Sequence, residues 1–216
     1  MLTIAVAGES LTLLPEKAAY LAERRLLLIA DAHLGKAVSF RRLGVPVPQG
    51  STADNLATLS ALIARLDIRR IVFLGDLLHS AHAHSAATQA ALAQWRERHR
   101  ALQLTLVRGN HDDHAGDPPA ALGFEVVDEP LRVGPWALCH HPQAQPGGYV
   151  LAGHLHPCVR LQGRARERLR LPCFWLGDEV GVLPAFGEFT GMHPIEPRLH
   201  DRVYALTGDG VLEVPR

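Results

Sequence analysis

The chain has almost no cysteine, almost no lysine, no net charge and no long apolar run, and each shortage excludes something. Three cysteines, Cys139, Cys158 and Cys173, occur in 216 residues. They are odd in number and form no CxxC pair. That argues against a disulfide framework and a thiolate-based zinc site, and it fits a reducing compartment. The 22 basic and 22 acidic residues cancel to a formal net charge of zero, so no global basic field advertises a polyanionic partner. Two of the basic residues are lysines, Lys17 and Lys36; such an arginine excess arises as readily from genome base composition as from function. No apolar run approaches the roughly 20 residues that span a bilayer. The opening MLTIAVAGES lacks a basic start and meets Glu9 too early to resemble a secretory leader. The expectation is a cytoplasmic protein with no membrane partner.

Histidine is what the chain has in number: 13 residues. Neutral imidazole is the commonest side-chain ligand for transition metals, so their positions matter. Apolar, strand-like runs recur, most of them ending in a polar turn: TIAVA (3–7), LLLIA (26–30), RIVFLG (70–75), LQLTLV (102–107), WALCH (136–140) and YVLAG (149–153). Two stretches between the early runs have helical character. STADNLATLSALIARL (51–66) opens with Ser51 and Asp54 at capping-box spacing, and SAATQAALAQWRERHR (85–100) ends in basic residues that suit a helix C-terminus. Strands alternating with helices predict an α/β layered fold. From Phe124 onward the chain reads as short strands punctuated by Gly and Pro. No internal repeat or linker-like tract interrupts it, so residues 1–216 are read as a single domain.

The polar residues fall where the apolar runs stop. LLLIA enters Asp31-Ala32-His33, RIVFLG enters Asp76, LQLTLVRG enters Asn110-His111-Asp112, WALC enters His140-His141, and YVLAG enters His154-Leu155-His156. Such side chains are costly to desolvate unless something pairs with them. In an α/β sheet the carboxyl ends of strands share one edge, where ligands bind, so these five clusters can meet in space. Extended spacing puts Asp31 with His33, and His154 with His156, on one side of the chain. Carboxylate, imidazole and amide oxygen, without thiolate, suit Mn, Fe, Zn or Ni. Seven such groups are too many for one ion; with one carboxylate bridging they fit two ions about 3.5–4 Å apart.

DAH (31–33), GD (75–76), GNHD (109–112), His140 and GHLH (153–156) together resemble the motif set of the calcineurin-like metallophosphoesterases. The resemblance implies a four-layer α/β/β/α sandwich with a dinuclear metal site at the strand C-terminal ends. It implies that Asp31, His33 and His156 hold one metal, that Asn110, His140 and His154 hold the other, and that Asp76 bridges. His111 would lie beside the scissile phosphate as catalytic acid, oriented by Asp112. His140 comes first after its strand, as in the family pattern, and His141 stays open as the alternative ligand. A narrower stretch, DAHLGKAVSFRRLGVPVPQGST (31–52), with GDLLHS (75–80), resembles the bacterial ligase-associated DNA-damage-response endonucleases. That implies two divalent ions, Mn²⁺ foremost, a phosphodiesterase acting on DNA, single-stranded by preference, and a functional link to DNA repair and a DNA ligase.

Other residues stand nearer the rim of this reading. His79, next after the GD motif, is a candidate contact to the substrate phosphate, and Lys36, Arg41 and Arg42 are candidates for gripping a nucleic-acid backbone. A third metal site among His79, His82 and His84 is a weaker alternative. Asp113 and His114 read as loop residues, Arg108 as a brace and Trp95 as core. The charge run RLQGRARERLRLP (160–172) reads as a solvated β-hairpin or loop, or as a phosphate-backbone contact. Two competing functions remain: a phosphomonoesterase or small-nucleotide phosphodiesterase with the same metals, and a non-catalytic scaffold on the same fold. The filled motif set disfavours the scaffold.

Overall fold

Leu26–Ile29 is apolar at every position, the mark of a strand covered on both faces, and all four residues are buried. The computed structural model describes residues 1–37, 40, 51–79, 85–162, 168–188, 190–208 and 210–215. In it this strand, β4 (Leu26–Ile29), is the hinge of a seven-stranded sheet. On one side β1 (Leu2–Val6), β2 (Glu9–Leu14) and β3 (Ala18–Leu21) form an antiparallel meander that ends on β4. On the other, β5 (Arg70–Leu74), β6 (Gln103–Val107) and β7 (Phe124–Val127) continue in parallel.

Alternation of side chains divides each central strand between two cores. Leu27, Ile29, Ile71, Phe73, Leu104 and Leu106 face the helical side. There they meet α1 (Ser51–Arg65) through Leu56, Leu59 and Leu62, and α2 (Ala86–Arg98) through Leu92 and Trp95. Trp95 is core, as expected, and its indole donates to Ser60 Oγ at 3.1 Å. Ser85 caps α2, accepting from the Thr88 amide at 3.3 Å.

The opposite face of the sheet packs on a second one. Its order is β14 (His193–Pro194), β11 (Pro157–Gln162), β12 (Arg168–Leu176), β13 (Val180–Val182), β10 (Tyr149–Ala152), β9 (Trp136–Leu138), β8 (Leu131–Val133). β15 (Arg202–Leu206) pairs with β12, and β16 (Val211–Glu213) with β15. β9, β10 and β13 are mutually parallel. Leu28, Val72 and Leu74 from the first sheet share one core with Trp136, Leu138, Leu151 and Phe174 from the second. Trp136 is fully buried and its indole donates to Glu9 Oε2 at 2.8 Å, tying β9 to β2. The charge run lies on β11 and β12, whose antiparallel register meets at Gln162 and Arg168, so its described part is the expected hairpin; residues 163–167 lie outside the described residues.

The sheet pair and the helical layer match the expected α/β sandwich. On the outer face of the second sheet Ala137, Cys139, Val150 and Ala152 are fully buried, and no helix among the described residues joins them. The Gly- and Pro-punctuated second half of the chain offers no long stretch of helical periodicity from which to build one. No helix among the described residues is long and apolar enough to cross a membrane.

Truncating the inter-sheet core tests this packing. Leu28→Ala should lower stability by about 2–5 kcal/mol, read as a shifted denaturant midpoint. Leu212→Ala, at a half-exposed position on β16, should change it by about 0.5 kcal/mol or less.

Candidate metal centre

The five clusters do converge. Asp31 follows β4, Asp76 follows β5, Asn110 follows β6, His140 follows β9 and His154 follows β10. The first three come from one sheet and the last two from the other, at an edge where both open. The turns are tight. Asp31, His33, Asp76, His154 and His156 have φ of 51°, 43°, 51°, 71° and 49°, a left-handed region that costs a non-glycine residue about 1–3 kcal/mol. Neighbouring backbone holds them there. The His33 amide donates to the Asp76 carbonyl at 2.9 Å, and those of Phe186 and Gly187 donate to Ala30 and Asp31 at 2.8 and 3.1 Å.

Glycines in the motifs are spacers for the ligands. A Cβ on Gly75 would lie 2.1 Å from His140 Nδ1, one on Gly109 would lie 2.5 Å from Asp76 Oδ1, and one on Gly153 would lie 2.6 Å from Asp31 Oδ2. The glycine in GD, GNHD and GHLH is therefore required by the side chain that passes over it.

The electron pairs of the cluster face inward. A carbonyl only accepts, so a ring nitrogen bonded to one carries the proton and leaves its partner nitrogen with a lone pair. His140 Nδ1 donates to Leu74 O at 3.0 Å, and His156 Nδ1 donates to Gly191 O at 3.0 Å. Their Nε2 atoms then point at other acceptors. His140 Nε2 lies 3.0 Å from Asn110 Oδ1 and 3.5 Å from Asp76 Oδ1. His156 Nε2 lies 3.6 Å from Asp31 Oδ1 and 3.4 Å from His33 Nε2. Burial, with Lys36 and the other imidazoles nearby, pulls the His33 pKa down to about 2, and burial lowers that of His154. Neutral rings are the form that binds metal. His33 Nδ1 is buried with no hydrogen-bond partner among the described residues. The donor set fits divalent cations.

Three groups of side chains have the spacing of a metal site: Asp31 with His33 and His156, Asp31 with Asp76 and His140, and His140 with His141 and His154. The two oxygens of Asp76 face different halves. Oδ1 faces His140, and Oδ2 lies 3.8 Å from His33 Nε2. The expected pairing of His154 with His156 is corrected: His154 Nδ1 sits 3.0 Å from His140 Nε2, while His156 turns to His33. Positive φ at both residues breaks the extended alternation on which the pairing relied.

His111 is beside the cluster, with its Nε2 3.9 Å from Asp76 Oδ2 and its side chain 42% exposed. The role expected for Asp112 is corrected. Its buried carboxylate accepts from the amides of Asp76 (2.8 Å), Gly109 (3.0 Å), Leu77 (3.1 Å) and Leu78 (3.4 Å), and does not touch the His111 ring. That ring donates Nδ1–H to His79 O at 3.2 Å. The reason is local. GNHDDHA is a short helix, α3 (Asn110–Ala115), not the loop expected for Asp113 and His114. Adjacent residues on a helix do not face each other, and Asp112 turns back to cap Gly109. Burial, against those amide bonds, pushes its pKa up to about 6.

His79 packs between Phe40 and His111, with centroids at 6.1 and 5.5 Å in near-parallel stacks, and burial lowers its pKa to about 4. Lys36 is half-buried; burial lowers its pKa, and the fields of Asp76 and Asp31 oppose that. Arg41, Arg42, His82 and His84 lie outside the described residues. Arg108 is a brace, paired with Asp117 and Asp128 at 2.9 Å. Sequence reasoning missed Glu129. Its carboxylate accepts from the His140 and His141 amides and the His141 ring at 2.7–2.9 Å. The signal was available, because Glu129 also follows the end of a strand, β7.

A two-sheet sandwich whose parallel strands end in buried carboxylates and inward-facing imidazoles is the architecture of a metal-assisted phosphoesterase. The chain belongs to the calcineurin-like phosphoesterases, whose family model matches residues 24–155. Among solved structures it is similar to a nuclease, MPE of Pseudomonas putida, with 45% identity, a TM-score of 0.88 and 99% of each chain covered. YfcE, a phosphoesterase from E. coli, aligns at 16% identity and a TM-score of 0.43, covering 88% of this chain and 97% of that one. Comparison with curated proteins gives no match.

Asp112→Ala tests the corrected role. Each buried amide left without its acceptor costs about 1–3 kcal/mol, so the melting temperature should fall by several degrees even without metal. Asp113→Ala, at an exposed neighbour on α3, should leave it nearly unchanged.

Proposed function

We propose that this protein is a two-metal phosphodiesterase that cleaves nucleic acid, with single-stranded DNA as its substrate. The observation that carries the reading is the convergence of Asp31, His33, Asp76, Asn110, His140, His154 and His156, with Nε2 of His140 and of His156 turned inward by the carbonyls that hold their Nδ1–H. The likeness to a nuclease across 99% of both chains supports nucleic acid over a small ester. Residues 1–216 are taken as one domain, because the ligands are drawn from both sheets and those sheets share a core. The setting inferred with this reading is cytoplasmic DNA repair, in functional association with a DNA ligase.

Two divalent ions, Mn²⁺ foremost with Fe, Zn or Ni as alternatives, would supply positive charge opposite the phosphodiester and activation of water at neutral pH. Asp31, His33 and His156 would hold one ion, and Asn110, His140 and His154 the other. Asp76, with Oδ1 toward His140 and Oδ2 toward His33, would serve both. His111 keeps Nε2 on the open side of the cluster because His79 O holds its Nδ1–H. From there the imidazolium form would give its Nε2 proton to the leaving oxygen, or stabilise the charge developing on it, and keep its Nδ1–H. Asp112 is a positioning residue, fixing the Asp76 turn through backbone amides. Lys36 and His79 stand where the substrate phosphate would approach, and Arg41 and Arg42 are carried as further contacts.

The test adds Mn²⁺ to purified protein and compares circular single-stranded DNA, circular duplex and small mono- and diesters. Nicking of the single-stranded circle is expected. His111→Asn should keep its metal content and slow turnover by about 10²-fold or more; unchanged turnover removes His111 from the chemistry. Asp76→Ala should lose bound metal, and a variant that still holds two ions per chain rules out the bridge. Hydrolysis of monoesters alone would replace this reading with the phosphomonoesterase.

A further inference from the structure

His140 and His141 are consecutive, and in a straight strand consecutive side chains point to opposite faces. Here the chain leaves β9 at Leu138 and bends at both histidines, so their rings meet edge to face with centroids 4.8 Å apart. The His154 ring stands 4.9 Å from that of His140 and 4.8 Å from that of His141. A ligand nitrogen from each of the three rings lies within 4.8 Å of the other two.

The orientation of His141 is fixed from behind. Glu129 Oε1 lies 2.7 Å from its Nδ1, and Oε2 accepts from the main-chain amides of His140 at 2.7 Å and His141 at 2.9 Å. One carboxylate thus grips both the bend and the ring that the bend presents. Facing an ionised acceptor, Nδ1 carries the ring proton, and Nε2 is left with its lone pair.

We propose that His141 is a metal-ligating side chain oriented by Glu129, giving the ion held by Asn110, His140 and His154 a third imidazole. This rests on the dinuclear reading above and deepens it. A carboxylate behind a ligating imidazole fixes its tautomer and raises its basicity. The two positions are then chemically unequal. One has two imidazoles, His33 and His156, with the carboxylate of Asp31. The other has three imidazoles and an amide oxygen, with Asp76 common to both. Carboxylate-rich sets suit Mn²⁺, and imidazole-rich sets suit Zn²⁺, Fe²⁺ or Ni²⁺. The His141 position therefore favours the nitrogen-preferring ion when metals compete.

The test titrates metal-free protein with MnCl₂ in a calorimeter and measures the metal content of desalted samples. It compares the wild type with His141→Ala and Glu129→Gln. The wild type should take up two ions per chain. His141→Ala should weaken one of the two by about 10- to 100-fold, leave the other unchanged, and leave the metal-free melting temperature unchanged. Glu129→Gln should weaken the same ion by less. Two ions bound by His141→Ala with wild-type affinities overturn the proposal. Should the variant weaken both ions or melt early, wild-type crystals soaked in Mn²⁺ decide. His141 Nε2 at bonding distance from an ion sustains the proposal, and a ring turned away from an occupied site overturns it. A wild type that binds no ion refutes the dinuclear reading as well, whereas two ions with His141 idle refute this inference alone.

Discussion

The structure depends on a set of rings that are each held by the wrong end. His140, His141 and His156 each present one nitrogen to a carbonyl or carboxylate at their back: Leu74, Glu129 and Gly191 respectively. A nitrogen held this way keeps its proton, so the opposite nitrogen must face the centre with an unshared pair. Asp31 and Asp76 add carboxylate oxygens of the same polarity, which the charge of the half-buried Lys36 offsets in part. Concentrating electron pairs in a buried space raises the free energy of the metal-free fold, and a cation lowers it again. Metal binding is thereby coupled to stability, whatever the chemistry that follows.

A single sheet could not hold this arrangement. Parallel strands β4, β5 and β6 deliver Asp31, Asp76 and Asn110 along one edge, and a second layer is needed to bring imidazoles across from the opposite side. β9 and β10 do so with His140 and His154. The inter-sheet core fixes the distance between the two rows, and the Trp136–Glu9 hydrogen bond anchors β9 to β2. The cross-links at the site itself are backbone ones. The His154 amide donates to the Asp31 carboxylate at 2.9 Å, and the 186–187 segment pairs with the chain that leaves β4. The left-handed turns are the local cost of aiming side chains inward, and these cross-links hold them in place.

Much of this was legible in the sequence, for reasons that also explain the gaps. β4, β5 and β6 read as strands because burial on both faces demands unbroken apolar runs; α1 showed capping-box spacing and periodicity, and α2 its basic C-terminal turn. β2 and β3 did not stand out; ESLTLL and AAYL are short and become strands by pairing with β1 and β4. The helix α3 was unreadable from periodicity, since five polar residues and one alanine carry no apolar stripe and Asp112 caps its start. The ligand positions were legible because each follows a strand end. What each neighbour does was less so. Asp112 is adjacent to His111 in the chain but points elsewhere, and Glu129 meets His141 only through folding.

The zero net charge bears on how such a site can handle a polyanion. Charge that is absent overall can still be unevenly distributed, and here it is. On the side reached past Pro142 and Leu155 lies a cavity of about 500 Å³ whose rim includes Asp178, Glu179, Glu196 and Asp201, against Arg198 and His200. Beside the cluster stand Lys36, His79 and the half-exposed His111, whose Nε2 is 3.9 Å from Asp76 Oδ2. Long-range attraction is weak for a chain with no net charge, so the metal ions themselves must supply most of the attraction at short range. A contact confined to so short a range would involve few phosphates and lose comparatively little to added salt.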